Sequence, residues 1–340
     1  MKKILVTGGA GYIGSHTVVE LHNAGYEPII LDNFSNSNEN VIAAIKKIIE
    51  IDVQVYRVDC TDMDALRTVF EQEKDIAGII HFAAFKAVGE SVRDPYKYYH
   101  NNISSTLNLL KLMKELNIVN FVFSSSCTVY GQPEILPVDE KTPLVEAESP
   151  YGHTKQVCED MIRFFAIAQK EMKSVLLRYF NPIGAHPSAL IGELPLGKPE
   201  NLVPFITQTA AGLRDQLTIF GNDYNTEDGT CIRDYIHVVD LAKAHVKALH
   251  FLEFTDVLPS PEVINLGMGR GYSVKELVDT FEKISGIELK YKYGPRRQGD
   301  VEKIYSASEK AKDLLDWTCD YNLEDMIQHS WDWQLKLKDS

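Results

Sequence analysis

Residues 3–33 read "KILVTGGAGYIGSHTVVELHNAGYEPIILDN", and no other stretch constrains the fold as tightly. An apolar run ends at Thr7, a helical pattern begins near Tyr12, and a second apolar run ends at Asp32. Gly8, Gly9, Gly11 and Gly14 fill the turn between them and satisfy both GxxGxxG and GxGxxG. Such glycines allow a tight turn, close approach of backbone N–H groups to a pyrophosphate, and close packing of helix on strand. The helix N-terminus adds free N–H groups and a partial positive charge. A lone glycine match is weak, since a Gly-rich turn can serve structure alone. Here it follows a strand, opens a helix and is answered by an acid 18 positions beyond Gly14, which predicts dinucleotide binding through Gly8, Gly11, Tyr12, Ile13 and Gly14. Asp32 can accept hydrogen bonds from ribose hydroxyls, and its charge repels a 2′-phosphate. NAD is therefore expected rather than NADP, and Asn33 adds no basic charge against that.

Further apolar runs lie at "VQVYRVD", "AGIIHFA", "NFVFSSS" and "SVLLRYF", with helical patterns such as "SSTLNLLKLMKELN" between them. Repeated strand-then-helix with nearly continuous apolar strands predicts an α/β fold, a Rossmann-type doubly wound parallel sheet covered on both faces. Ligands of such sheets bind beyond the carboxyl ends of the strands. After Asn181 the pattern loosens into the Pro- and Gly-rich "PIGAHPSALIGELPLGKPENL". The expected division is a dinucleotide domain over 1–181 and a smaller α/β substrate domain over 182–340. Segments near 234–268 are expected to fold back onto the first domain, so the boundary interleaves.

At 340 residues the chain is long enough for two domains and a large core. A net charge of −13 opposes nonspecific binding to nucleic acid or acidic membranes. Five cysteines with no CxxC pair suggest neither a disulfide framework nor a zinc site. His81, His153 and His237 lack ligand spacing, so no metal is expected. No apolar run reaches the length of a membrane span, and "MKKILVTGG" runs straight into a strand with no room for a signal peptide. A reducing cytoplasm fits these features.

The later strand ends carry the chemistry. Asp59, in "VDC", is a plausible adenine contact. Ala83 and Ala84 are small enough to let a cofactor lie close, with Lys86 nearby. "FSSSCTVYG" ends a strand in three serines. "SPYGHTK" then opens a helix, with Ser149 as a favoured N-cap and Pro150 at the first helical position. Tyr151 and Lys155 are four apart and share one helix face. On any helix such a pair is common; behind a cofactor loop it has a use. A hydride acceptor needs a partner that takes the alcohol proton. For a tyrosine this requires its pKa to fall by roughly three units, about 4 kcal/mol. Lys155, a pyridinium ring and the helix N-terminus push that way. Ser126 can hold the same oxygen. Ser126, Tyr151 and Lys155 are the candidate catalytic residues.

With these motifs in place the chain resembles the extended short-chain dehydrogenase/reductases, and among them the UDP-glucose 4-epimerase family over nearly its whole length. The motifs are "VTGGAGYIGSH", "LDN", "HFAAFKAVGES", "FSSSCTVYG", "SPYGHTK", "LRYFNPIGAHPSALIGE", "FGNDYNTEDGTCIRDYIHVVDLA" and "RRQGD". The resemblance implies retained NAD, transient oxidation at sugar carbon 4 and interconversion of UDP-galactose and UDP-glucose through a 4-keto sugar. It extends the cofactor set to Asn33, Phe34, Ser35, Asn36, Ser37, Cys60, Phe82, Asn101, Ser124 and Phe180. For the nucleotide sugar it implies Asn181, Asn201 and Leu202 near the diphosphate, Arg233 and Arg297 neutralising it, Asp300 on the ribose, and Thr218, Ile219 and Phe220 flanking the uracil. It also implies a homodimer, with "PYKYYHNNISSTLNLLKLM" as a candidate contact.

Two departures matter. Cys127 stands where relatives carry Ala and is expected to be an inert thiol. Ile304 stands beside the sugar's 2-position, where relatives carry either Tyr or a small residue, so UDP-GlcNAc is expected to be a poor substrate at best. Two rivals remain. A nucleotide-sugar dehydratase or decarboxylase shares the first oxidation but needs carboxylates just before "VYG", where this chain has Ser126, Cys127 and Thr128. A non-catalytic NAD sensor would keep the glycine loop without needing Ser126, Tyr151 and Lys155.

Overall fold

The computed structural model describes residues 1–256, 260–297 and 301–338. Its strands are β1 (Lys3–Thr7), β2 (Glu27–Asp32), β3 (Gln54–Arg57), β4 (Ile76–His81), β5 (Asn120–Ser124), β6 (Lys173–Tyr179), β7 (Asn181–Ile183), β8 (Leu217–Phe220), β9 (Ile232–His237), β10 (Glu262–Leu266), β11 (Gly271–Ser273), β12 (Tyr291–Gly294) and β13 (Lys303–Ile304). Side chains of a strand alternate between its faces, and in β1, β2, β4, β5 and β6 both faces are largely apolar. Ile4, Val6, Ile30, Ile80, Val122, Val175 and Leu177 pack to one side, against Val18, Val19 and Leu21 of helix Tyr12–Asn23 and Leu241, Ala248 and Leu249 of helix Val238–Phe254. Leu5, Ile29, Leu31, Ile79, Phe121, Phe123 and Leu176 pack to the other. Their partners are Leu66 and Phe70 of helix Met63–Gln72, Leu109 and Met113 of helix Ser104–Leu116, and Ile162 of helix Pro150–Ala168. Each fully buried Leu, Ile or Phe contributes roughly 1.5–3 kcal/mol, so the two-sided filling fixes the register.

The result is a seven-stranded sheet in the order β3-β2-β1-β4-β5-β6-β10, every pairing parallel. This is the doubly wound order with one further strand. β10 arrives late in the chain, and helix Val238–Phe254 before it covers one face of the same sheet.

β9 centres a second sheet. β11 lies antiparallel along one side, and β13 and β7 pair parallel with successive parts of β9, placing Ile304 opposite Arg233 and Asn181 opposite Tyr235. β8 and β12 form a parallel pair of their own. Helices Leu202–Ala210, Val274–Ser285 and Leu323–Lys338 close a separate core through Val203, Ile206, Phe281, Met326 and Trp331. Among the described residues no helix is long and apolar enough to cross a membrane.

Candidate active site

The first βα turn is built as a cradle. Gly8 has φ +69°, and a Cβ there would stand 2.8 Å from the Ala83 amide nitrogen. A Cβ at Gly14 would stand 2.2 Å from the Gly8 carbonyl oxygen. Any side chain at either position would drive apart the turn, the helix and the strand end at 82–84. Helix Tyr12–Asn23 starts at Gly11 with no side-chain cap, so its first N–H groups face the turn. The Asp32 carboxylate is fixed on both oxygens: Ala10 N–H donates to Oδ2 at 3.0 Å, and Phe34 N–H and the Ser37 hydroxyl donate to Oδ1 at 2.8 and 3.1 Å. Asn33 donates to Asp59 at 2.7 Å. Burial works against the Asp59 carboxylate, but the Thr61 hydroxyl and N–H and the Asn33 amide outweigh it and hold its pKa below the usual value. These residues fit a dinucleotide: a glycine cradle for phosphates and an oriented carboxylate at the end of the next strand. Ser35 and Asn36 are exposed beside it, Phe82 and Ala84 are half-buried, and Cys60 is buried.

The catalytic candidates come together at the end of β5. Ser149 caps helix Pro150–Ala168 by accepting the Gly152 N–H at 3.2 Å, and Pro150 occupies the first turn. That places Tyr151 and Lys155 on the buried face, beneath the strand-end serines. The Ser126 hydroxyl oxygen accepts the Thr128 N–H at 3.2 Å, which leaves its own proton to donate. The Lys155 ammonium donates to the Ser124 carbonyl at 2.6 Å and lies 4.8 Å over the Phe123 ring. Burial lowers Lys155 to about 8, partly offset by Cys158 and Glu159. Burial also pushes the Tyr151 phenol well above its ordinary value. The Tyr179 phenol pushes it further in the same direction, and the Ser126 hydroxyl opposes both. The sequence predicts a lowered phenol. Within the folded chain desolvation dominates instead, because the ring is buried away from water. Burial pushes the Cys127 thiol up to about 12, with Arg233 opposing, which suits an unreactive thiol.

The nucleotide-sugar candidates are spread more widely. Asn181 (β7) and Ile304 (β13) both border β9, and Ile304 is buried against Val129, Tyr130, Val138 and Phe180, next to the serine turn. Arg233 donates to its neighbour's carbonyl at 2.9 Å, and its charge reaches Cys127. Asn201 precedes helix Leu202–Ala210, with Leu202 half-buried at its start. The Asn201 amide donates to Glu193 at 2.6 Å, and Lys86 meets the same carboxylate at 3.5 Å. Lys86 also lies 5.9 Å over the Tyr12 ring, so the two candidate sets adjoin here. On β8, Ile219 is buried in the second core while Thr218 and Phe220 are more exposed. Arg297 is exposed just beyond β12, and Asp300 lies outside the described residues.

Several positions escape a motif reading. Asn102, beside the expected Asn101, accepts the Phe85 N–H at 2.9 Å and donates to the Phe85 carbonyl and to Thr154, tying the 82–86 turn to the Tyr151 helix. Asn101 itself donates to Asn102 at 3.0 Å. Tyr179 shares a 2.5 Å hydrogen bond with the Ser124 hydroxyl. Asp234 accepts four hydrogen bonds, from the N–H groups of Met268, Gly269 and Ser306 and from the Ser306 hydroxyl. The one signal for Asp234 in sequence is an acid inside an apolar strand.

A doubly wound sheet with a glycine cradle, an acid ending the second strand and a Ser–Tyr–Lys set at the middle strand end belongs to the extended short-chain dehydrogenase/reductase class. The family model for GDP-mannose 4,6 dehydratase matches residues 5–330. A UDP-glucose 4-epimerase of Bacillus subtilis is 51% identical over 333 residues, covering 97% of this chain and 96% of that protein. The crystal structure of UDP-glucose 4-epimerase from Bifidobacterium longum in complex with NAD+ and UDP superposes with a TM-score of 0.94 at 44% identity, over 99% of both chains. That from Stenotrophomonas maltophila, with bound NAD and formylated UDP-arabinopyranose, gives 0.96 at 42% identity, over 100% of this chain and 99% of the other. The chain belongs to the UDP-glucose 4-epimerase family.

Proposed function

We propose that the chain interconverts UDP-galactose and UDP-glucose by oxidation and re-reduction at sugar carbon 4. A bound NAD supplies a reversible hydride acceptor for that carbon. Gly8, Gly11, Tyr12, Ile13 and Gly14 hold its pyrophosphate, Asp32 and Asn33 the adenosine ribose, and Asp59 the adenine side. Tyr151 takes the proton from the 4-hydroxyl and later returns it. Ser126 holds the same oxygen with its O–H. Lys155 keeps a positive charge at this strand end, and with a pyridinium it offsets the burial that holds the phenol up. Asn181, Asn201, Arg233 and Arg297 grip the diphosphate, where a net charge of −13 would otherwise repel it. Firm grip there and few groups on the hexose let the keto sugar turn over.

One observation carries the reading: Ser126, Tyr151 and Lys155 gather at one strand end, and the nearby carboxylate of Glu159 is buried, paired with Arg178 and bonded by the Ser125 hydroxyl. Elimination lacks its acid and base there. Incubating purified protein with UDP-galactose and no added NAD should yield UDP-glucose. A product that has lost water or carbon dioxide, or no product even with NAD supplied, would overturn the assignment.

Three finer readings go with it. Ile304 is packed on four apolar neighbours, so UDP-GlcNAc should turn over poorly; equal turnover would refute this. A homodimer is favoured by Leu107 (46% exposed), Phe164 (63%) and Ile167 (57%) on the adjoining helices Ser104–Leu116 and Pro150–Ala168. A reducing cytoplasm suits five free thiols.

A further inference from the structure

β6 reads "KSVLLRY", and Arg178 is a cation in a strand whose neighbours are buried apolar residues. Its partner is Glu159, on helix Pro150–Ala168. Arg178 Nε donates to Glu159 Oε1 at 2.9 Å and Nη2 to Oε2 at 2.5 Å, and both side chains are 6% exposed. The guanidinium lies 4.9 Å over the Tyr130 ring, and the Tyr130 hydroxyl donates to Asn265 at 2.7 Å. A buried ion pair is a poor stabiliser, since desolvation cancels much of its attraction and an apolar pair would pack as well. Its presence calls for another explanation.

The geometry gives one. Tyr151, Lys155 and Glu159 follow one another at four-residue spacing on one helix face. Each of the three serines at the end of β5 has its own anchor. Ser124 gives its carbonyl to Lys155 at 2.6 Å and its hydroxyl to Tyr179 at 2.5 Å. Ser125 donates its hydroxyl to Glu159 Oε1 at 2.5 Å. Ser126, one residue on, faces Tyr151. The serine turn and the Tyr151 helix are thus pinned to each other at two points, Lys155 to Ser124 and Glu159 to Ser125. The second pin is locked from beneath by Arg178.

We infer that the Glu159–Arg178 pair is the positioning element of the reaction: it sets the distance between the Ser126 hydroxyl and the Tyr151 phenol and keeps the Lys155 ammonium charged. The inference rests on the epimerase reading above. Lys155 is acted on by Cys158 and Glu159 from its own helix and by His81 from β4, while Arg178 and Tyr179 of β6 reach this turn through Glu159 and Ser124. His81 is buried and held neutral, at about 3, and Cys158 is pushed up by burial. That leaves Glu159 as the anion that favours the ammonium.

The test is the pH dependence of kcat for UDP-galactose conversion by the holoenzyme. Glu159→Gln keeps the shape and removes the charge. Its kcat should fall about ten- to a hundredfold, with KM within about twofold. Its alkaline limb should move about half a pH unit or more toward neutrality, because Lys155 loses the anion one turn along its helix. A double variant, Glu159→Met with Arg178→Met, leaves no orphaned charge and should fold as stably as wild type, yet its kcat should stay low. An unmoved alkaline limb in Glu159→Gln, or full recovery of kcat in the double variant, would show the pair to be packing alone. Wild-type protein with no turnover of UDP-galactose would overturn the reaction and this inference together.

Discussion

The half of the molecule around the seven-stranded sheet and the half around β9 assemble their sites in different ways. In the first, the groups that matter lie within short stretches: the glycine turn with Asp32, the three serines, and Tyr151 with Lys155 on one helix. In the second, Asn181, Asn201, Thr218, Arg233 and Ile304 come from five separate segments, of which only those of Asn181, Arg233 and Ile304 are gathered by the sheet around β9. Chemistry that needs fixed angles is placed on two rigid elements pinned to each other. Grip on a long ligand can be collected from many.

The broadest probe of this contrast is acid. His16 and His81 are lowered by burial to about 3, His245 to about 4 and His237 to about 2. The unfolded chain takes up protons at these positions below about 6.5, while the folded chain does not until far lower. Stability is therefore untouched above pH 6.5 and lost as pH falls from there toward 4. At roughly 1.4 kcal/mol per pH unit and group, denaturant unfolding at pH 5.5 should show about 5 kcal/mol less stability than at pH 7. His16, His81 and His245 sit on the first sheet's helices and strands, and only His237 ends β9. The first half should thus carry most of the loss. Equal stability at the two pH values would mean that these imidazoles are protonated in the native state.

Tyr151→Phe should cost at least about a hundredfold in turnover while leaving the protein folded and NAD retained. On the proposed mechanism one oxygen carries the proton transfer, and removing it leaves the buried ring in place. Unchanged turnover would remove Tyr151 from the reaction. Asp234→Asn should do the reverse. The amide turns a donor toward N–H groups of 268–269 and 306 and loosens the segment bearing Ile304. At roughly 1 kcal/mol per lost hydrogen bond, KM for UDP-galactose should rise about tenfold with kcat within about threefold. A loss confined to kcat would mean that the second half takes part in the chemistry, and the contrast would fail.

The parallel sheet and the glycine cradle were readable from residues alone because each rests on local patterning, whereas the strand order, with β10 arriving beside β6, came only with the folded chain. Apolar runs, turn glycines and helix caps act within a few residues, and a sheet filled on both faces has one workable register. Tyr151 and Lys155 were readable for the same reason, being one turn apart. Pairings that depend on how separate segments fold against one another were not readable: Ser125 with Glu159 and Arg178, Asn102 with Phe85, Asp234 with Ser306, Lys86 and Asn201 on Glu193. The upward push on the Tyr151 phenol belongs with them. A phenol's pKa follows from how much water is excluded and which charges remain nearby, and folding sets both by bringing distant segments around it.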